Sequence, residues 1–197
     1  MKYCTMFRAS GILFNHILKE ALHDSTICKN TMQEYKAIVA RAKDIGTSNR
    51  LLGSYAMAAY FISMNRNTNL DVEENFKILE KGLSTSKAYK AIMGSANSYF
   101  SEKNMQSRRA WSKETYKRKY ENDWVVDVIE KGPGYEFGFD YHECGVCKLC
   151  KDEHCPQYAK YLCRLDYMTT DMMGIGLKRT KTLGDGDEVC DFRFYKK

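Results

Sequence analysis

Leu51–Met64 reads LLGSYAMAAYFISM and is apolar on most of its sides. A helix without a polar face cannot lie on a surface, so this one must be buried at the centre of the fold. The flanking sequence supplies helices to cover it. Arg8–His23 sets Ile12, Leu13, Ile17, Leu18 and Leu22 at helical spacing. Ile27–Ile45 continues with Met32, Tyr35, Ile38 and Val39, and Gly46 follows as a C-cap. After the polar NRNTN run, Asp71 and Glu74 have capping-box spacing ahead of Phe76, Ile78 and Leu79. Gly82 is expected to end that helix. Ser84–Phe100 forms another, with Tyr89, Ile92, Met93 and Ala96 inward.

Ser101–Tyr120 interleaves Lys103, Arg108, Arg109, Lys113, Lys117, Arg118 and Lys119 with Trp111, Tyr116 and Tyr120. The spacing describes a solvated helix face beside an aromatic core stripe. A nucleic-acid surface is the competing reading, but Glu102, Glu114 and Glu121 dilute the positive field and no stacking motif is present. The texture changes at Asn122. Trp124–Glu130 is rich in β-branched residues, and Tyr135–His142 alternates aromatic and polar residues, so both read as strands about a Gly132–Gly134 turn. Pro156 opens a helix that runs through Met172. Gly176–Leu183 and Glu188–Tyr195 read as a hairpin around Gly184–Asp187. The fold class is α+β, a helical N-terminal half packed on a small antiparallel sheet with one helix in the C-terminal half. Residues 1–197 are expected to form a single domain, with 1–121 as helical scaffold and 122–197 as the α+β part.

Composition narrows the function classes. Apolar residues make up 44% of the 197 and only 2 are proline, which suits a packed core rather than a disordered chain. A formal charge of +6 permits an anionic ligand without requiring nucleic acid. The N-terminal segment has an apolar run of only four residues, Gly11–Phe14, too short for a secretory core, and no stretch reaches membrane-spanning length. A cytoplasmic protein with reduced thiols is expected, with no membrane partner. A homo-oligomer is compatible with the sequence.

Five of the eight cysteines lie in His142–Asp166, HECGVCKLCKDEHCPQYAKYLCRLD. Their spacing supports two chemistries. Cys144, Cys147, Cys150 and Cys155 approach the C-x2-C-x2-C-x3-C-P run of an iron–sulfur site, with one extra residue before Cys155. Zinc is the other metal candidate for such CxxC pairs. Alternatively the thiols are reduced and unliganded, or one is a nucleophile. A nucleophilic thiol needs a helix N-terminus or a cationic neighbour. Cys155 precedes a predicted helix start beside His154. Cys163 and Asp166 share one helix face. His142 ends a strand beside the cysteines and is a candidate general acid or base, against the blander reading of a hydrogen-bonded structural residue. Strand parity places Cys190 with Phe192 and Phe194, as a small core residue, and Asp191 on the opposite face. Parity likewise separates Thr180 and Thr182 from Arg179, for which a cross-strand salt bridge to Asp187 or Asp191 is the blander role.

The segment Cys144 … Cys163-x2-Asp166 … Arg179-Thr180-Lys181-Thr182-Leu183 … Gly186-Asp187 … Cys190-Asp191-Phe192 resembles the L-2-amino-thiazoline-4-carboxylic acid hydrolase family over roughly the last sixty residues. In that pattern the recurring cysteines match Cys144, Cys163 and Cys190, with an acid at Asp166; Cys147, Cys150 and Cys155 lie outside it. The resemblance implies a hydrolase acting on carbon–nitrogen or carbon–sulfur bonds of a small cyclic amidine, opening the aminothiazoline ring toward cysteine. Its expected catalytic residues are Cys163, Asp166, Cys144, His142 and Cys190, with Cys163 the favoured nucleophile. Arg179 would bind the substrate carboxylate, with Thr182 and Asp191 beside it. The alternatives are a redox or sensing protein built on a metal or iron–sulfur site, and a non-catalytic small-molecule-binding module.

Overall fold

In the computed structural model, which describes residues 4–197, the apolar stretch folds as helix α3 (Leu52–Asn67). Met1–Tyr3, which begin the segment read for a leader, lie outside the described residues. From Tyr55 to Met64 only Met57 keeps appreciable surface. The helix is wrapped by α1 (Thr5–Leu22), α2 (Ser25–Arg41), α4 (Val72–Thr85) and α8 (Gly145–Asp152). Ala56, Ala58 and Ala59 leave room for these neighbours. Three of the buried polar side chains find partners. Ser63 Oγ donates to the Ala59 carbonyl (2.8 Å), the Tyr60 hydroxyl to Asn15 (2.9 Å) and the Tyr35 hydroxyl to the Phe7 carbonyl (2.7 Å).

The start of α4 carries the expected capping box, with Asp71 and Glu74 each bonding the other's backbone. Its end differs from expectation. The helix runs through Gly82, where a Cβ would lie 2.1 Å from Ile17 Cγ2. Gly82 therefore marks a close crossing with α1, not a terminus. Gly82→Ala is expected to lower stability by about 1–3 kcal/mol through overpacking, read as a reduced denaturation midpoint at unchanged slope. Likewise α2 stops at Arg41 with Ala42 as its cap, and Gly46 lies beyond it. The region read as one helix over 84–100 divides into α5 (Lys87–Met93) and α6 (Ala96–Tyr99) at Gly94. Then α7 (Glu102–Thr115) begins at the Ser101 cap. On α7 Arg109 is bonded to Glu102 and Glu130. Arg108 is the exception to a solvated face, buried over the rings of Tyr99 and Phe137.

Strands β1 (Val125–Ile129), β2 (Phe137–Glu143), β3 (Ile175–Lys178) and β4 (Cys190–Lys196) form an antiparallel sheet in the order β1-β2-β4-β3. One face carries Val126, Phe137, Phe139, Phe194 and Ile175 into an apolar cluster that Met105 and Trp111 of α7 help to close. The last hairpin is shorter than expected, because 179–189 leave the sheet as a loop. Two aspartates draw the loop's backbone away from ladder bonding. Asp191 accepts from the Thr180 and Lys181 N–H groups (2.8 and 2.6 Å) and Asp187 from Thr182 N–H (2.7 Å). The cysteine run folds mainly as a helix. Cys144 caps α8, which carries Cys147 and Cys150 as a helix. A 3-10 turn (Pro156–Tyr158) then leads into α9 (Ala159–Met172). No described helix is long and apolar enough to cross a membrane.

Candidate active site

The site forms where β2 ends, β4 begins and α9 crosses. Register pairs Tyr141 with Cys190 across β2 and β4, and Cys144 follows Tyr141 by three residues. From α9, Cys163 and Asp166 lie one turn apart on the same face. The loop after β3 contributes Arg179 and Thr182. Arg179 Nη1 donates to Asp166 Oδ2 (2.7 Å) and Nη2 to the Cys163 carbonyl (2.9 Å). Its guanidinium lies near the rings of Tyr167 and Phe192, 5.0 and 4.9 Å from their centroids. The Arg179 side chain is only 4% exposed, and its Nε is buried without a partner.

A salt bridge to Asp187 or Asp191 was the bland expectation for Arg179. The partner is instead Asp166, since leaving the sheet turns Arg179 toward α9. That engagement also bears on carboxylate recognition, because both Nη groups are occupied and no open fork faces solvent. Asp191 spends Oδ1 on two loop N–H groups and Oδ2 on the Thr180 hydroxyl (2.5 Å), so it organises the loop. Thr182 Oγ1 points back to α9 and donates to Cys163 Sγ (3.8 Å). Gly184 covers the same sulfur, and a Cβ there would lie 2.9 Å from it. At Cys190 the sulfur accepts from Leu183 N–H (3.1 Å), and the residue is buried on the inner sheet face as parity predicted. His142 is placed elsewhere. It alternates with Tyr141, is exposed, and pairs with Asp127 (3.0 Å) on the outer face of the sheet.

Electrostatics distinguish these groups. Burial pushes the Asp166 carboxyl up to about 6, with Arg179 holding it back from a larger rise. Yet Asp166 keeps 41% of its side-chain surface accessible. The carboxylate is thus enclosed enough for burial to dominate its pKa while part of it still meets solvent. No other protein group among the described residues bonds its Oδ1. Burial pushes Cys163 up to about 12, helped by the Asp166 and Cys144 charges and opposed by Arg179 and Thr182. Cys190 rises to about 11, chiefly by burial. The Cys144 thiol is raised well above its usual range, first by its contact with the Cys147 thiol and then by burial. The three thiols are therefore protonated at neutral pH, and Asp166 is the group that titrates near it.

Cys163 opens onto a cleft of about 540 Å³ whose walls include Lys160, Arg164, Tyr167, Thr182 and Glu73. Arg164 is paired with Glu73 (2.7 Å) at its edge, whereas Lys160 has no ion-pair partner among the described residues. Sequence reasoning did not single out Lys160 or Tyr141. Lys160 is three residues before Cys163, the spacing that puts both on one helix face, and Tyr141 alternates with His142, which gave the inward parity.

Among the described residues, no group of three or more His, Cys, Asp or Glu side chains is placed to hold a metal ion. The reading of Cys144, Cys147, Cys150 and Cys155 as a zinc or iron–sulfur ligand set is corrected accordingly. A ligand loop wraps its thiolates around one point, whereas here Cys147 and Cys150 sit a turn apart on α8, with Cys144 at its N-cap and Cys155 beyond its end. They resolve into two thiol contacts, Cys144 with Cys147 and Cys150 with Cys155. In the second contact the Cys155 pKa is lowered, first by the bond from Cys150 and, against burial, by the Arg66 charge.

The fold and site define an α+β protein in which thiols and one titratable carboxylate gather where β2, β4 and α9 meet, with Cys163 opening onto a polar cleft. The family model for L-2-amino-thiazoline-4-carboxylic acid hydrolase matches residues 49–194, from the loop before α3 into β4, and the chain belongs to that family. No curated protein and no solved structure matches it.

Proposed function

We propose that the protein hydrolyses a small cyclic amidine bearing a carboxylate, with the aminothiazoline acid as its type substrate and α9 as its catalytic element. The observation that carries this reading is Asp166, a wet but buried carboxylate at about 6, one turn from Cys163 and fixed by Arg179. A general base works best when its pKa lies near the operating pH.

The substrate ring carbon bonded to two nitrogens and sulfur is electrophilic once the amidine is protonated. Asp166 pairs with that amidinium through Oδ1, while Oδ2 stays on Arg179. Cys163 attacks as its proton passes to Asp166, the ring bond breaks as the proton is returned to the departing heteroatom, and water releases the opened product. Thr182 supports the sulfur as charge develops on it. Lys160, the unpaired cation at the cleft, takes the substrate carboxylate in place of Arg179. Loss of the aminothiazoline acid with purified protein, and its dependence on Cys163 and Asp166, tests the reading.

The role given to Arg179 has its own consequence. Its charge lowers the Asp166 pKa, so Arg179→Met should move the acid limb of the kcat/KM profile above 6, by about 1 pH unit or more. Arg179→Lys, which keeps the charge, should move it less. A limb unchanged in Arg179→Met would show that another group sets it.

A further inference from the structure

Arg108 is the only arginine among the described residues that is buried as a whole residue, and no carboxylate there pairs with it. Arg179, whose side chain lies as deep, has Asp166. Arginine does not shed its proton in a protein, so a buried guanidinium without an acid is an uncompensated charge. The groups around Arg108 answer only part of it. Nη1 donates to the Tyr99 carbonyl (2.6 Å) and to Met105 Sδ (3.4 Å). The ring centroids of Tyr99 and Phe137 lie 4.1 and 4.5 Å from its Cζ. Those centroids are 5.5 Å apart, too close together to stand on opposite faces of the guanidinium, so both rings crowd one flank. The Nε–Nη2 edge bonds no carbonyl or carboxylate among the described residues. Nor is that edge sealed, since the described side-chain atoms both sealed and unpartnered are Thr31 Oγ1 and Arg179 Nε. A second arginine without an acid stands on the same helix. Arg50 donates from Nη1 to Ser107 Oγ (2.7 Å), and its Cζ lies 5.9 Å from the Trp111 ring centroid. Trp111 is the helix neighbour of both Ser107 and Arg108, so the two guanidinium groups flank one patch of α7. Burial holds the Arg108 pKa below its ordinary value; Tyr99 opposes this, and the Arg50 charge adds to it.

We infer that Arg108 and Arg50 form a binding site for the carboxylate of a small aromatic acid, between α7 and the segment that leads into α3. The free Nε–Nη2 edge of Arg108 is one of the forks by which a guanidinium takes a carboxylate through two parallel bonds. Arg50 is exposed and meets the same anion from the solvent side. The half-buried Trp111 indole, under Arg50, offers a flat apolar surface to the organic part of the acid. A single fork beside an indole suits a planar carboxylate on a ring better than a tetrahedral phosphate, for which no third cation is paired to the patch. The site is separate from the cleft at Cys163, whose walls include none of Arg50, Arg108 and Trp111. The inference goes beyond the hydrolase reading and does not depend on it, since its readout is the binding of an acid that is not a substrate.

The test titrates the full chain with benzoate by isothermal titration calorimetry, with inorganic phosphate as the comparison anion. Benzoate should bind at a single saturable site. Its affinity should fall by about ten-fold or more in Arg108→Met, the usual cost of losing a hydrogen bond to a charged group. Arg108→Lys, which keeps the charge but not the fork, should weaken it too, and so should Arg50→Met. Lys160→Met, which alters the cleft at Cys163, should leave benzoate binding unchanged. If Arg108→Met does not fold, Arg108→Lys and the exposed Arg50→Met decide the matter. Absence of saturable heat with benzoate would overturn the proposal, as would wild-type affinity in both Arg108→Lys and Arg50→Met, or a loss confined to Lys160→Met. Tighter binding of phosphate than of benzoate would overturn the assignment to an aromatic acid.

Discussion

Asp166→Asn is expected to lower kcat/KM for the aminothiazoline acid by about 10²- to 10⁴-fold, the usual worth of a positioned general base. Asparagine keeps an oxygen for Arg179 and nearly the same volume, so the helix and its ion-paired loop should persist. What it removes is the only group in the cluster that changes charge near neutral pH, since Cys163 at about 12 and Cys190 at about 11 stay protonated. Wild-type kcat/KM should rise as pH increases through about 6, where Asp166 loses its proton, and the variant's residual rate should lack that limb. Stability should respond in a defined direction. The folded-state pKa of Asp166 lies above its ordinary value of 3.8, so its contribution to stability is complete below 3.8 and is lost as pH rises through about 6. The uncharged variant escapes that loss, and its stability relative to wild type should improve across the same interval. Equal turnover in the two proteins, or a variant stabilised only in acid, would remove Asp166 from this role.

Glu153→Ala is expected to destabilise the fold by about 3 kcal/mol, at the lower end for a broken buried ion pair because both arginines keep some solvent. For a chain of this size that is a fall of about 6–12 °C in Tm. Glu153 is 7% exposed and follows α8. Its carboxylate accepts from Arg41 Nε (2.8 Å) and Nη2 (2.7 Å) and from Arg66 Nη1 (2.8 Å), and its carbonyl from Arg66 Nη2 (2.8 Å). One side chain thus ties the end of α8 to α2 and α3, and its removal leaves Glu34 alone against two arginines. Although burial raises the Glu153 pKa, the arginines outweigh it and hold it below its usual value of 4.5. The contribution is therefore present above 4.5 and lost as pH falls through the depressed pKa. Melting curves at neutral and acid pH should show the gap between variant and wild type narrowing in acid.

The helices were legible where local chemistry decides them. An all-round apolar run had to become α3, and the Asp71–Glu74 capping box works through its own backbone. The inward parity of Cys190 followed from its aromatic neighbours, and Tyr141 with His142 obeys the same rule. What escaped reading was decided between segments. Gly82 resembles a helix terminator, and only the approach of α1 makes it a crossing point. Thr180–Leu183 has strand-forming residues, but side chains of Asp187 and Asp191 claim its backbone. Triple spacing among Cys144, Cys147 and Cys150 suits a ligand loop and a helix face equally, and the packing of α8 against α3 selected the helix. Arg179 looked like an open fork because nothing local reveals its pairing with Asp166, thirteen residues away.

Turnover of L-2-amino-thiazoline-4-carboxylate by the purified protein, followed from about pH 4 to 9 beside Asp166→Asn and Cys163→Ala, bears most directly on the proposed chemistry. Ring opening by the wild type with an acid limb near 6, and its loss in both folded variants, is the expected result. An intact ring with the wild type, or undiminished turnover in both variants, would contradict it.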